Sequence, residues 1–247
     1  MHWWSRRSVR AGTLAASAVA TLAGCPQVPG TGQGLMPLAA LAVTDGTGSR
    51  VELAWGEVPA IPRYEVVRVE GSRIRVLGAS PARTWVDRDG LTPGTTFIYV
   101  VRALDGANAE RWRSTSPGIR PATESLATPV GINVAGLATD SLILERMGII
   151  SWQAVPEAVA YRIAVRDTTG SVLLEDLVSE TNWPASSSVQ PPDHWPVFRP
   201  RGERGTLPSG TPLTWSLTAL APAHGEPLAT ARALRAAEAT RDLRLVD

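Results

Sequence analysis

The 247-residue chain has one cysteine, Cys25, and no lysine: its 24 cationic side chains, set against 23 acidic ones, are all arginine. A single cysteine excludes an intrachain disulfide, so stability in an oxidising compartment has to come from packed cores. The near balance of charge lacks the basic surface that nucleic acid demands, and no nucleic-acid partner is expected. The apolar run Ala11–Gly24 is 14 residues long, short of the roughly 20 that a membrane-spanning helix needs. Helical spacing is missing up to the alanine-rich C-terminal stretch. Also missing are Gly-x-Ser-x-Gly, His-Glu-x-x-His and Walker patterns, and His194 and His224 each stand alone in a loop. Hydrolytic or transfer chemistry needs a base beside a nucleophile, or a metal with three or four ligands. No catalytic residue, metal site or cofactor is therefore expected.

Arg6, Arg7 and Arg10 precede the apolar run with no acidic residue among them, the layout of a secretory signal. Ser5-Arg6-Arg7 is similar to the start of a twin-arginine signal, but Val9 and Arg10 depart from it, which leaves the export route open. Leu22-Ala23-Gly24-Cys25 resembles the lipobox of bacterial lipoproteins. The resemblance implies cleavage before Cys25, a diacylglyceryl group on its thiol and an acylated new amino terminus. Each buried methylene is worth about 0.8 kcal/mol, and durable attachment takes more than one chain. The other readings are an ordinary signal before an unmodified cysteine, or a buried free thiol. Without residues 1–24 the chain keeps 21 arginines against 23 acids. Pro26 is not the aspartate that resembles an inner-membrane retention signal, so the expectation is a cell-envelope protein, outer membrane favoured, facing side open. Residues 25–36 are rich in Gly and Pro and read as a flexible tether spanning roughly 20 Å. Gly30, Gly32 and Gly34 follow no strand and open no helix, unlike a nucleotide loop.

Beyond the tether, short runs alternate with a period of two between Gly, Pro, Asp and Asn: Val51, Leu53 and Trp55; Tyr64, Val66 and Arg68; Phe97, Tyr99, Val101 and Ala103. The pattern also repeats. Trp55, Val58, Pro59 and Tyr64 recur as Trp152, Val155, Pro156 and Tyr161 at an offset of 97 residues. Leu91, Gly94, Thr95, Ala103 and Leu104 recur as Leu207, Gly210, Thr211, Ala219 and Leu220 at an offset of 116, so the second copy carries 19 extra residues between Trp183 and Leu207. LAWGEVPAIPRYEVVRVE with LTPGTTFIYVVRAL resembles a fibronectin type III domain, and ISWQAVPEAVAYRIAVRD with LPSGTPLTWSLTAL resembles a divergent one. The resemblance implies an all-β chain of two tandem immunoglobulin-like, fibronectin type III-like β-sandwiches, over 37–123 and 124–247, after the signal peptide (1–24) and tether (25–36). The family's corner tyrosine falls on Phe97 and Leu213, which have no hydroxyl, so apolar packing has to hold both corners. Ser114–Thr123 is expected to close the first sandwich. Glu124–Thr128 then forms a joint that limits tumbling without fixing an angle. An extra turn or short strand is expected near Leu142–Leu144, and Leu228–Ala236 is expected as the closing strand of the second sandwich, with the helix formers of ATARALRAAEATRD leaving a helical finish open.

Asp87, Asp89 and Gly90 lack the later ligands of a calcium loop and read as a solvated turn. Glu175, Asp176 and Glu180 read as a charged edge that discourages strand pairing rather than as a glycosidase carboxylate pair. Trp55, Trp152 and Trp215 fall on core-facing positions, Trp85 and Trp183 on equivalent strands. Residues 186–206 interleave four prolines with His194, Trp195, Phe198, Arg199 and Arg201. Either these side chains are exposed anchors for a partner, or Trp195 and Phe198 fold back onto the sandwich. The expected role is a lipid-anchored, non-catalytic spacer or adaptor binding another envelope protein, with polysaccharide binding as the alternative.

Overall fold

The structure, a computed structural model, describes residues 37–246 without 135–136, 139–140, 146–147, 187, 197 and 199. Seven strands come first: β1 (Leu38–Asp45), β2 (Gly48–Trp55), β3 (Arg63–Glu70), β4 (Arg73–Ser80), β5 (Thr84–Asp87), β6 (Ile98–Leu104) and β7 (Glu110–Thr115). The order β1-β2-β5 faces a second sheet ordered β4-β3-β6-β7. The period-two pattern explains the packing, because alternate side chains leave opposite faces of a strand. Val51, Leu53 and Trp55 of β2 meet Tyr64 and Val66 of β3 and Tyr99 and Val101 of β6 in one buried cluster.

The second half repeats the plan with β8 (Asn133–Val134), β9 (Leu137–Ala138), β10 (Ser141–Glu145), β11 (Ile150–Ser151), β12 (Ala160–Arg166), β13 (Val172–Val178), β14 (Asn182–Trp183), β15 (Pro212–Pro222) and β16 (Ala233–Val246). Here the order β13-β12-β15-β16 faces β14-β11-β8-β9. The chain is thus all-β, with two tandem immunoglobulin-like sandwiches in the fibronectin type III strand arrangement. The repeat reappears as geometry. Trp55 meets Tyr64 edge-on at 5.6 Å between ring centroids, and Trp152 meets Tyr161 at 5.3 Å. Each tyrosine hydroxyl accepts a buried backbone N–H six residues back, from Val58 at 3.0 Å and Val155 at 2.9 Å. The sequence Trp-x-x-Val-Pro closes the loop before the tyrosine strand, and the hydroxyl satisfies the amide left over.

The joint departs from the sequence reading. β1 pairs in parallel with the start of β16, Ala42 opposite Ala233, Val43 opposite Leu234 and Thr44 opposite Arg235. Seven strands therefore run as one sheet from β13 through β16 and β1 to β5, and β10, pairing with the end of β16, makes it eight-stranded. Ala233 of β16 packs in the first-half core. Backbone hydrogen bonds rather than the short joint set the relation between the halves. The closing strand begins at Ala233, after a 3-10 turn at Leu228–Thr230, and continues as extended chain to Val246. The first half closes with β7, and Ile119 exchanges hydrogen bonds of 2.8 Å with Phe97 at the corner.

Asp87 does not lie in a solvated turn. Its carboxylate is buried, accepting from the Arg68 guanidinium at 2.8 Å and the Tyr99 hydroxyl at 2.9 Å, while Asp89 N–H binds its other oxygen at 3.1 Å. The Arg68 guanidinium lies 5.2 Å over the Phe97 ring and also donates to the Asp89 carbonyl at 2.6 Å. This cluster bridges the two sheets of the first half from β3 and β6 to β5. Burial first, and the Asp87 carboxylate beside it second, push the Tyr99 hydroxyl well above the ordinary tyrosine range.

Candidate interaction surface

Residues 1–36, on which the expected signal segment, Cys25 and the expected tether fall, lie outside the described residues, as does Arg199. The other candidates all sit in the insertion, whose path is set by the free edge of β13. On the way out, Ser188 pairs with Val178, and Val189 N–H donates to the Leu177 carbonyl at 2.6 Å. On the way back, Arg201 and Glu175 exchange two backbone hydrogen bonds of 2.9 Å. Gly202 completes the return with φ of +73°, and a Cβ there would stand 2.2 Å from the Leu173 carbonyl oxygen. Only glycine fits that approach.

Between these limbs the chain crosses the outer face of the eight-stranded sheet, opposite both sandwich cores. Trp195 is 1% exposed and Phe198 5%, and their rings meet edge-on at 6.2 Å. They pack on Leu41 and Val43 of β1 together with Ala160, Leu177, Leu220 and Leu234 of the second half. His194 Nε2 and the Trp195 indole N–H both donate to the Ala231 carbonyl, at 2.8 and 3.0 Å. The aromatic pair is therefore a strap across the seam. It presents no ring to solvent.

The strap's electrostatics are equally inward. Arg162 places its guanidinium 5.1 Å over the Phe198 ring and donates from Nε to Glu175 at 2.7 Å. Arg201, whose side chain is 52% exposed, reaches the second Glu175 oxygen at 3.4 Å, while that carboxylate has no exposed surface. The sequence reading of Glu175 as part of a charged edge that discourages strand pairing is thus corrected: the insertion pairs with that edge and buries the carboxylate between two arginines. A buried carboxylate without such partners costs several kcal/mol, so the insertion and Arg162 make each other's placement possible.

The structure brings His194, Trp195, Phe198 and Arg201 together as fastenings of one loop. A cavity of about 30 Å³ remains beneath the strap beside Arg50, Glu52 and Thr218, room for roughly one water molecule. Among the described residues no group of three His, Cys, Asp or Glu side chains could hold a metal ion, and no helix is long and apolar enough to cross a membrane. Sequence reasoning missed Arg162, which sits mid-strand in Tyr-Arg-Ile-Ala-Val-Arg, where nothing local distinguishes it from a surface arginine.

No protein-family model matches the chain. A stretch of 100 residues is 41% identical to endoglucanase B of Cellulomonas fimi, covering 38% of this chain and 8% of that protein. Among solved structures, the chicken CNTN1 FN1-FN3 domains align over 83% of this chain and 66% of theirs, with 12% identity and a TM-score of 0.33. A cytokine receptor complex aligns over 83% of this chain and 95% of its own, with 13% identity and a TM-score of 0.28. The chain spans under a tenth of the length of the endoglucanase it matches.

Proposed function

We propose that this chain is a cell-envelope lipoprotein, fastened to the membrane through Cys25, whose two sandwiches form one stiff non-catalytic arm that holds a protein partner. The observation that carries the reading is the shared sheet. Tandem domains joined by a short linker normally move relative to one another unless a large apolar interface prevents it. Here three residue pairs of parallel ladder and the cluster around Trp195 and Phe198 supply that interface. A spacer needs this stiffness, whereas a flexible pair of binding modules would dispense with it. The lipobox at Leu22–Cys25 supports the anchor, and Pro26 supports placement in an outer membrane. Labelling cells with a fatty-acid probe tests it: the wild-type chain takes up label and sediments with membranes, and Cys25→Ser does neither. Label retained by Cys25→Ser would sink the anchor, and absence of any envelope protein captured by the detergent-solubilised wild type would sink the adaptor.

A second reading has its own observation. The stretch similar to endoglucanase B is a small part of that larger protein, which supports a polysaccharide-associated module. Titrating the full chain with soluble glucan oligosaccharides separates the readings, since an adaptor for protein gives no saturable response.

A further inference from the structure

The two halves treat equivalent sheet edges in opposite ways. β4 and β13 are counterparts: each is the hairpin partner of the strand that carries the repeated tyrosine, and each ends its sheet path. The insertion covers β13 with backbone hydrogen bonds at Leu177 and Glu175. No strand lies beyond β4 among the described residues. Its first four residues, Arg73-Ile74-Arg75-Val76, are all exposed, Ile74 at 68% and Val76 at 54%. Across the sheet Ile74 stands opposite Val69 and Val69 opposite Ile98, while Val76 stands opposite Val67 and Val67 opposite Val100. An apolar stripe three strands wide therefore runs out to an open edge. Neither Arg73 nor Arg75 has an ion-pair partner among the described residues.

We propose that β4 is the docking edge for an extended acidic segment of a partner protein, which adds to the sheet as a further strand. Its carboxylates meet Arg73 and Arg75, and its alternate apolar side chains lie on Ile74 and Val76. In strand addition the main-chain hydrogen bonds supply affinity and alternate side chains supply specificity. Charge selects the occupant. A second copy pairing antiparallel through β4 in the register that stacks Ile74 on Ile74 and keeps the apolar stripe continuous would set Arg73 against Arg75, and like charges directly opposite are destabilising. An acidic strand removes that penalty. The second half shows the same solution with the signs exchanged: the segment lying along β13 brings Arg201, and the edge supplies Glu175. This inference rests on the adaptor reading and adds the surface and the partner chemistry, but it does not depend on the lipid.

The test uses the full chain in detergent micelles, with amide exchange and chemical shifts followed by NMR. The probes are a short synthetic peptide alternating glutamate with valine and its lysine-for-glutamate counterpart. The glutamate peptide is expected to bind saturably, slowing exchange along Arg73–Ser80, while the lysine peptide does not. Arg73→Glu with Arg75→Glu should weaken the glutamate peptide at least about tenfold, ~1.4 kcal/mol, and make the lysine peptide the better ligand. Ile74→Thr with Val76→Thr, which leaves the charges in place, should also weaken the glutamate peptide. Equal binding of the two peptides, responses elsewhere on the molecule, self-association through the same amides, or a glucan oligosaccharide perturbing them would each overturn the proposal. Loss of fatty-acid label with an intact β4 response removes the anchor alone. Failure to capture an envelope protein while the glutamate peptide still binds removes the adaptor reading and leaves the edge.

Discussion

Trp195→Ala combined with Phe198→Ala removes the strap without touching either sandwich core. Burying an aromatic ring of this kind is worth about 3–5 kcal/mol on truncation to alanine. The two rings touch, at 6.2 Å between centroids, so the costs do not simply add. The indole donor to Ala231 also goes, although His194 still satisfies that carbonyl. Losing Phe198 strips the ring from beneath Arg162 and opens the Glu175 pair to water. A combined loss of about 5–8 kcal/mol is comparable with the whole stability of an ordinary domain, yet it falls on one seam. What remains there is the three-pair ladder between β1 and β16, Ala223 and Ala233 against the first-half core, and the hydrogen bond from His224 Nε2 to the Arg120 carbonyl at 2.9 Å, too little to keep the halves cooperative. The wild type is expected to unfold in denaturant as one transition by all probes, and the double variant as two, each with a smaller denaturant slope. Amide exchange reads the same event locally, through faster exchange at Ala42–Thr44 and Ala233–Arg235 while Val66 and Ile163 stay protected. A double variant that still unfolds in one coincident transition at the wild-type midpoint would refute the strap.

Three further perturbations test the frame on which the strap rests. Tyr99 holds its proton far more tightly in the folded chain than in the unfolded one, which ionises near pH 10. Its contribution is therefore complete below about pH 10 and is lost above it, at up to ~1.4 kcal/mol per pH unit; Tyr99→Phe should flatten alkaline denaturation curves by one proton's worth, and an unchanged slope would refute the assignment. Tyr64→Phe and Tyr161→Phe each orphan one buried backbone N–H and should each cost about 1–3 kcal/mol in urea titrations. Unequal costs, with one near zero, would mean that the repeat is conserved in shape but not in energy. Gly202→Ala drives a Cβ into the Leu173 carbonyl at a positive φ and should cost about 2 kcal/mol or more, with faster exchange at Glu175 and Arg201; full wild-type protection there would show that the return limb bends without penalty.

What the sequence disclosed and what it hid follow from range. The two tryptophan–tyrosine units were legible because their spacing is local, and the loop they close is satisfied within a few residues. The alternation of β2, β3 and β6 was legible because each strand buries one face. The end of the chain was not, and its composition shows why. β16 is an interior strand of the fused sheet, with Ala237 and Ala239 in one core, Ala233 in the other and Ala236 under the strap. Crowding on both faces selects small side chains, and a run of alanines reads equally well as helix. The insertion announced itself as proline-rich and aromatic, but whether Trp195 and Phe198 faced water depended on Leu41 and Val43, more than 140 residues earlier. Glu175 was misread for the same reason: an edge charge looks like a guard against pairing until the segment that covers it is placed.

The fused sheet also changes what an anchor at Cys25 would do mechanically. Any chain leading from a membrane enters the fold at Leu38, the first residue of β1, and β1 is held by eight residue pairs to β2 and three to β16. Load carried along β1 is therefore shared between both sandwiches at once, instead of passing through the first to reach a linker. The parallel pairing puts the β1–β16 bonds in shear when the two chain ends are drawn apart, so they resist together rather than opening one by one. In a string of independent domains the linker sets the reach and the weaker domain sets the strength. Here β1 joins both functions in one strand, and the strap of Trp195 and Phe198 lies over that strand, at Leu41 and Val43, where the shared load enters the second half.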